Sequence, residues 1–356
     1  MLSIDKTQSG PIDLTEYGFS PALLPADAEG HPARVSAVHK ERYALLCSDG
    51  ASYGRLKAGP YYGGDENFPT TGDFVLYDAG GDGGDRRILR TLPRRSCFAR
   101  REPGPIPRQQ AVAANFDYVF ILQSLNHDFN LRRLERYLTL AWQSGATPVV
   151  VLTKLDQAQD ADTMLRQARA LAVRAEVYPV SAKSGEGLDA LASYLQPRKT
   201  LVFLGSSGVG KSSLVNALAG EELMRVGEIR EDDSRGRHTT TYRQLLRLPS
   251  GALIIDTPGM RELGMWDVSQ GLGQTFEDVE QYLGQCRFSD CTHGNEPGCA
   301  VREAIRRGEL SQARLDSYFK LKNEAQYSDG RAAYLASKKA WGQAVAKQRK
   351  AIKKGK

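Results

Sequence analysis

Gly205 to Ser212 reads GSSGVGKS, directly after the apolar run LVFL and directly before the helix-forming stretch SSLVNALAG. Glycines at this spacing let successive backbone N–H groups turn inward at the end of a strand, and the helix that follows adds its positive end. The segment predicts a phosphate cradle in which Gly205, Ser206, Ser207, Gly208, Val209, Gly210 and Ser213 line the anion. Lys211 reaches the terminal phosphates and the Ser212 hydroxyl ligates Mg²⁺. A strand, loop and helix of this kind belong in a mostly parallel α/β sheet.

The rest of such a sheet is visible on both sides of the cradle. The apolar runs YVFIL (118–122), VVVL (149–152), VYPV (177–180), LVFLG (201–205) and LIID (253–256) alternate with helical stretches, the first being LRRLERYLTLAW from Leu131. Asp256, in DTPG after the strand LIID, is placed to hold Mg²⁺, and the Gly259 N–H to meet a terminal phosphate. Between cradle and acidic motif lies GRHTTT, Gly236 to Thr241, at the end of a polar stretch. This is the place for a switch that senses a third phosphate through a threonine hydroxyl. Thr239, Thr240 and Thr241 remain alternatives for that ligand.

Two further motifs sit at strand ends. Thr153, Lys154 and Asp156 belong to TKLD after VVVL, and Ser181, Ala182 and Lys183 form SAK after VYPV. An Asp in the first motif accepts hydrogen bonds from guanine N1 and N2, and a backbone N–H of the second meets O6. Adenine lacks that donor pair and would leave a carboxylate unpaired. In ordinary GTPases the phosphate loop comes first; here TKLD and SAK precede it, so the domain is circularly permuted. The switch and acidic strand then lead straight into the C-terminal region.

Before this domain, ARVSAVH, RYALLCS, GDFVLYD and RRILRTL read as short strands separated by turns, which predicts a small OB-type barrel. After Gly264, TFEDVEQYL, residues 301–310 and LDSYFKLKNEAQY read as helices. Among them Cys286, Cys291, His293 and Cys299 supply three thiolates and an imidazole within fourteen residues, a closed tetrahedral set for one structural zinc. Cys47 and Cys97 lack such company and read as packing residues. The expected division is therefore an extension at 1–32, the barrel at 33–105, the permuted GTPase domain at 110–262, a helical zinc-binding domain at 263–337 and a tail at 338–356.

These motifs and their order resemble the ribosome small subunit dependent GTPase A family, also called RsgA, YjeQ or YloQ, over nearly the whole chain from about residue 33. The resemblance implies an OB barrel, a permuted GTPase domain and a zinc domain. It also implies GTP hydrolysis in late maturation of the small ribosomal subunit, with GTP or GDP, that subunit and its RNA as partners. Thr153 stands where the family's usual motif has Asn.

Composition adds the expected surroundings. The chain has 356 residues with 48 Lys+Arg against 42 Asp+Glu. Eight of those basic residues and no acid lie in Lys338 to Lys356, leaving the remainder at a net charge of −2. A second block, Arg86 to Arg101, holds seven arginines and no acid. Both suit a polyanion such as ribosomal RNA. No apolar run suits a membrane span, and the start MLSIDKTQSG lacks a leader pattern, so a cytoplasmic chain is expected, as a monomer.

Met260 occupies the place where many GTPases carry a water-orienting Gln, so turnover by the free chain is expected to be slow. His238 is the nearest titratable alternative for that task, with Lys211, Thr240 and Thr241 completing the catalytic set and Arg235 or Arg237 placed to neutralise developing charge. The rival function is an RNA-binding assembly factor that uses GTP as a structural ligand. An ATP-driven RNA remodeller is disfavoured by TKLD and SAK.

Overall fold

The computed structural model describes residues 10–39, 42–63, 66–78, 84–101, 109–224, 243–256, 268–294 and 296–326. Internal contacts divide the chain into two units. The first comprises Met1–Ala99, Ala111–Tyr137 and Ser144–Glu262; the second comprises Arg100–Gln110, Leu138–Gln143 and Leu263–Lys356.

The first unit opens with a closed five-stranded barrel. Its strands are β1 (His31–Val38), β2 (Tyr43–Cys47), β3 (Gly50–Leu56), β4 (Phe74–Asp78) and β5 (Arg86–Thr91), with a short helix α1 (Ala58–Gly63) after β3. They pair in the order β1-β2-β3-β5-β4, and β4 returns to β1, so no edge is left open. Alternation along β1, β2 and β4 turns Ala33, Val35, Leu45, Val75 and Tyr77 inward around Cys47 and Ile88. Burial pushes the Cys47 thiol up to about 11, as suits a packing residue. A two-stranded sheet follows, β6 (Cys97–Arg101) with β7 (Gln109–Ala114).

The nucleotide sheet is built from β8 (Tyr118–Ser124), β9 (Thr147–Thr153), β10 (Glu176–Pro179), β11 (Thr200–Gly205), β12 (Gln244–Arg247) and β13 (Leu253–Asp256). Its order is β10-β9-β8-β11-β13-β12, parallel except for β12. Helices α2 (Leu131–Gln143), α3 (Ala161–Leu171) and α4 (Lys211–Ala219) follow β8, β9 and β11. The chain runs outward from β8 to β10, then returns to lay β11 on the other side of β8. Strand order therefore reverses between β8 and β11, and a crevice at their carboxyl ends is where such sheets bind ligands.

Barrel and sheet are stitched together at Arg34, which is fully buried. Its guanidinium donates to the carbonyls of Gly72, at 3.4 Å, and Asn115, at 3.1 Å. It also donates to the Tyr17 carbonyl and to the Thr200 hydroxyl. Burial lowers its pKa to about 9, which leaves it charged at neutral pH and dependent on these four acceptors. Ala37 of β1 also pairs with Gln244 of β12.

In the second unit α5 (Ser269–Thr275), α6 (Glu277–Glu280), α7 (Ala300–Arg306) and a helix over 312–326 enclose Phe276, Val279, Val301 and Tyr318. The stretch read as one helix, TFEDVEQYL, breaks at Phe276 into the end of α5 and α6. Gly271 lets α5 approach the last turns of α2: a Cβ there would stand 2.1 Å from the Thr139 carbonyl oxygen. Among the described residues no helix is long and apolar enough to cross a membrane.

Candidate nucleotide site and metal centre

The phosphate loop forms the expected turn between β11 and α4. Gly208 and Gly210 have φ of +71° and +98°, the left-handed region that a side chain would strain. Ser207 and Gly208 are exposed at the tip, whereas Val209 is buried under the loop. Lys211 opens α4, and its Nζ stands 2.5 Å from Oδ1 of Asp256 at the end of β13. Cradle, lysine and acidic motif thus meet at one end of the sheet. Ser212 and Asp256 offer hard oxygen donors of the kind Mg²⁺ takes.

TKLD and SAK also come together. Lys154 adopts φ +59° and turns the chain into a short 3-10 helix that carries Asp156. Asp156 Oδ1 accepts from the Ser181 hydroxyl at 2.7 Å, and the Leu155 N–H donates to Val180 O at 3.1 Å. Ala182 and Lys183 follow at the same strand end, half-buried and exposed. Thr153 plays a part that its place in the motif did not announce. Its buried hydroxyl donates to Val209 O at 2.5 Å, spending itself on the phosphate loop.

The loop after β8 carried no motif, yet it reaches the same crevice. Asp128 Oδ2 accepts from the Ser206 hydroxyl at 2.7 Å and pairs with Arg133 at 2.9 Å. Burial pushes this carboxyl up, but the bonds from Ser206 and Arg133 outweigh it and hold it below the usual range. Its only advance signal was an acid in the turn following a central strand.

In the second unit the Cys286 and Cys299 sulfurs lie 3.8 Å apart, and His293 Nδ1 lies 3.5 and 3.6 Å from them. A tetrahedral zinc with bonds near 2.3 Å to sulfur and 2.0–2.1 Å to nitrogen requires spacings of about 3.8 and about 3.6 Å. With Cys291 all four ligand atoms fall within 4.8 Å of one another, so the cluster could hold a metal ion. Cys299 doubles as the cap of α7, its sulfur accepting from Arg302 N–H. His293 is held at φ +62°.

Four of the seven arginines in the block pair with acids of the barrel or of the segment before it. Arg86 pairs with Asp49, Arg87 with Asp78 at 2.5 Å, Arg90 with Asp27 and Glu66 at 3.4 Å, and Arg94 with buried Asp73 at 2.8 Å. Gly259, Met260, Arg235, Arg237, His238, Thr239, Thr240, Thr241 and the tail from Lys338 lie outside the described residues.

Fold and site together define a circularly permuted P-loop GTPase carried with an OB barrel and a helical Cys/His unit. A profile of the RsgA GTPase matches residues 91–266. The chain is 45% identical over 317 residues to the small ribosomal subunit biogenesis GTPase RsgA 1 of Listeria innocua, covering 88% of this chain and 90% of that one. It is 49% identical over 260 residues to the RsgA of Streptomyces avermitilis, covering 72% and 69%. The crystal structure of YjeQ from Thermotoga maritima superposes with a TM-score of 0.59 at 26% identity, covering 83% of this chain and 98% of that chain. That of YloQ, described as a circularly permuted GTPase, gives 0.57 at 25%, covering 85% and 97%. The chain belongs to the RsgA GTPase family.

Proposed function

We propose that this chain is a GTP phosphohydrolase acting in late maturation of the small ribosomal subunit, in the cytoplasm and as a monomer. The observation that carries the reading is the convergence of Lys211, Asp256, Asp156 and Ser181 at the carboxyl ends of one sheet, in permuted order. Family membership supports the reaction, and the names of the relatives support the ribosomal setting.

Each residue has a task. Residues Gly205 to Ser213 cradle the phosphates with backbone N–H groups, and Lys211 neutralises charge as the terminal phosphoryl leaves. Ser212 and Asp256 would hold Mg²⁺, which would supply positive charge against the phosphates. Asp156 and the SAK backbone select guanine, with Lys154 beside the base. Thr153 acts on the base site indirectly, by tying its strand to the loop at Val209. His238, with Thr240 or Thr241, orients the attacking water when the small subunit stimulates turnover. The Cys286, Cys291, His293 and Cys299 set holds one structural zinc. With four barrel arginines paired internally, the tail at 338–356 is the stronger candidate for contact with ribosomal RNA.

Turnover of GTP with and without small subunits tests the function. Stimulation is expected, and a rate that subunits leave unchanged would point to GTP as a structural ligand. Asp156→Asn tests the base site: calorimetry should show preference moving from guanine to xanthine nucleotides, which keep the N1–H donor but carry an acceptor oxygen in place of the 2-amino donor. Equal affinity of the unaltered chain for ATP and GTP would remove the assignment.

A further inference from the structure

We infer that Asp128 is a positioning residue for the phosphate loop, holding it through Ser206 in the shape that receives the nucleotide. The inference rests on the GTPase reading of that loop and adds a residue that none of its motifs contains.

The segment between β8 and α2 is a rigid mount. Asn126 Oδ1 accepts from the Ser124 hydroxyl at 2.8 Å and from Asp128 N–H at 3.0 Å, and Phe129 N–H donates to Asn126 O at 2.9 Å. Asn130 caps α2 by accepting from Arg133 N–H at 3.0 Å. Arg133, now fixed on the first turn of α2, returns to Asp128: Nη1 donates to Oδ1 at 3.1 Å and Nη2 to the Asp128 carbonyl. Nη2 also donates to Gln123 Oε1 at 3.3 Å. The carboxylate is thereby aimed and neutralised before it meets Ser206 at 2.7 Å.

Neutralisation matters because a bare carboxylate beside a phosphate site would repel its ligand. With Arg133 in place, Asp128 can anchor the loop without that cost. Thr153 grips the same loop from β9 at Val209. The loop is thus held at Ser206 and Val209, with exposed Ser207 and Gly208 between the two grips. A cradle that is already ordered loses less conformational entropy when the anion arrives. A second, unheld loop would bind the same phosphates more weakly.

The test is a double-mutant cycle on GDP affinity, measured by calorimetry on the full chain with Mg²⁺, alongside thermal unfolding. Ser206→Ala and Asp128→Ala should each weaken GDP binding about tenfold, the size of a hydrogen bond to a charged group. The double variant should be weakened no further, since both remove one contact. Asp128→Asn, which keeps an acceptor for the Ser206 hydroxyl, should restore most of the affinity. Multiplying single effects, or lowered melting temperatures with GDP affinity unchanged, would overturn the inference and leave the GTPase reading standing. If Lys211→Ala also left GDP affinity intact, the phosphate-loop reading would fall, and the inference with it.

Discussion

The phosphate loop and the arginine block are both short runs that stand out in the sequence by their residue pattern, and the protein uses them in opposite ways. The loop presents Ser207 and Gly208 to solvent, and its neighbours grip only its flanks, at Ser206 and Val209. Four of the block's seven arginines are paired within the protein: Arg86, Arg87, Arg90 and Arg94 meet Asp49, Asp78, Asp27, Glu66 and Asp73. The difference lies in what each pattern encodes. A glycine pattern specifies backbone conformation, which no distant residue can cancel. A charge pattern specifies only half of an interaction, and the other half can come from any acid the fold brings near.

The largest expected effect separates the two regions directly. Lys211→Ala removes the one cation of the described loop placed to meet terminal phosphates, and GTP affinity should fall by at least about a hundredfold, as for loss of a charged partner in a desolvated site. Arg87→Gln should leave GTP affinity unchanged and barely alter stability, because its pair with Asp78 is solvent-exposed. Calorimetry and denaturant unfolding read both. A nucleotide defect in Arg87→Gln would break the contrast.

The Cys/His cluster gives the next effect, and extends the contrast to a region whose side chains could share a metal ion. Chelation, or Cys291→Ser, should release most of the order around residues 286–299, because a structural zinc contributes folding energy locally. Elemental analysis should give one zinc per chain, and proteolysis of the treated protein should begin in this unit while GDP affinity is kept. A metal-free chain whose C-terminal unit resists protease would refute the assignment.

Legibility followed the same physics. Strands of β-branched and aromatic residues, such as β8 and β11, and the barrel strands β1, β2, β4 and β5 were readable from their apolar patterns. β3, GASYGRL, was not, since two glycines and three polar or charged residues hide a strand whose pairing comes from β2 and β5. β12 is four residues long and gains its place from β13. Residues read only as an extension supply Leu14 and Tyr17 to the interior, and Glu16 to Arg198 and Arg247. The nucleotide motifs were legible because strand ends fix their placement. Asp128 was not, because its role exists only once Ser206 is folded beside it.

The smallest expected effect tests whether paired arginines serve the barrel alone. Asp85 is buried between Arg42 and Arg55, accepting from Arg42 Nε at 3.0 Å and from Arg55 Nε at 2.8 Å. The hydrogen bonds from Arg42 lower its pKa first, burial opposes them, and Arg55 lowers it further, so the folded value lies below the usual one. A carboxyl depressed by folding stabilises the protein above its unfolded pKa near 3.9, and that contribution disappears as pH falls through the lower folded value. Asp85→Asn keeps the shape and an acceptor but not the charge. At pH 7 it should cost about 1 kcal/mol or less, since both arginines are largely exposed and solvent screens them. The gap between the two proteins should close on acidification below about pH 4, where the wild-type group also loses its charge, and it should shrink in high salt. Urea unfolding across pH 2.5 to 7 would read it. A gap that stayed constant with pH would assign the loss to packing, and a change in GTP affinity would mean that the charges of the barrel reach the nucleotide after all.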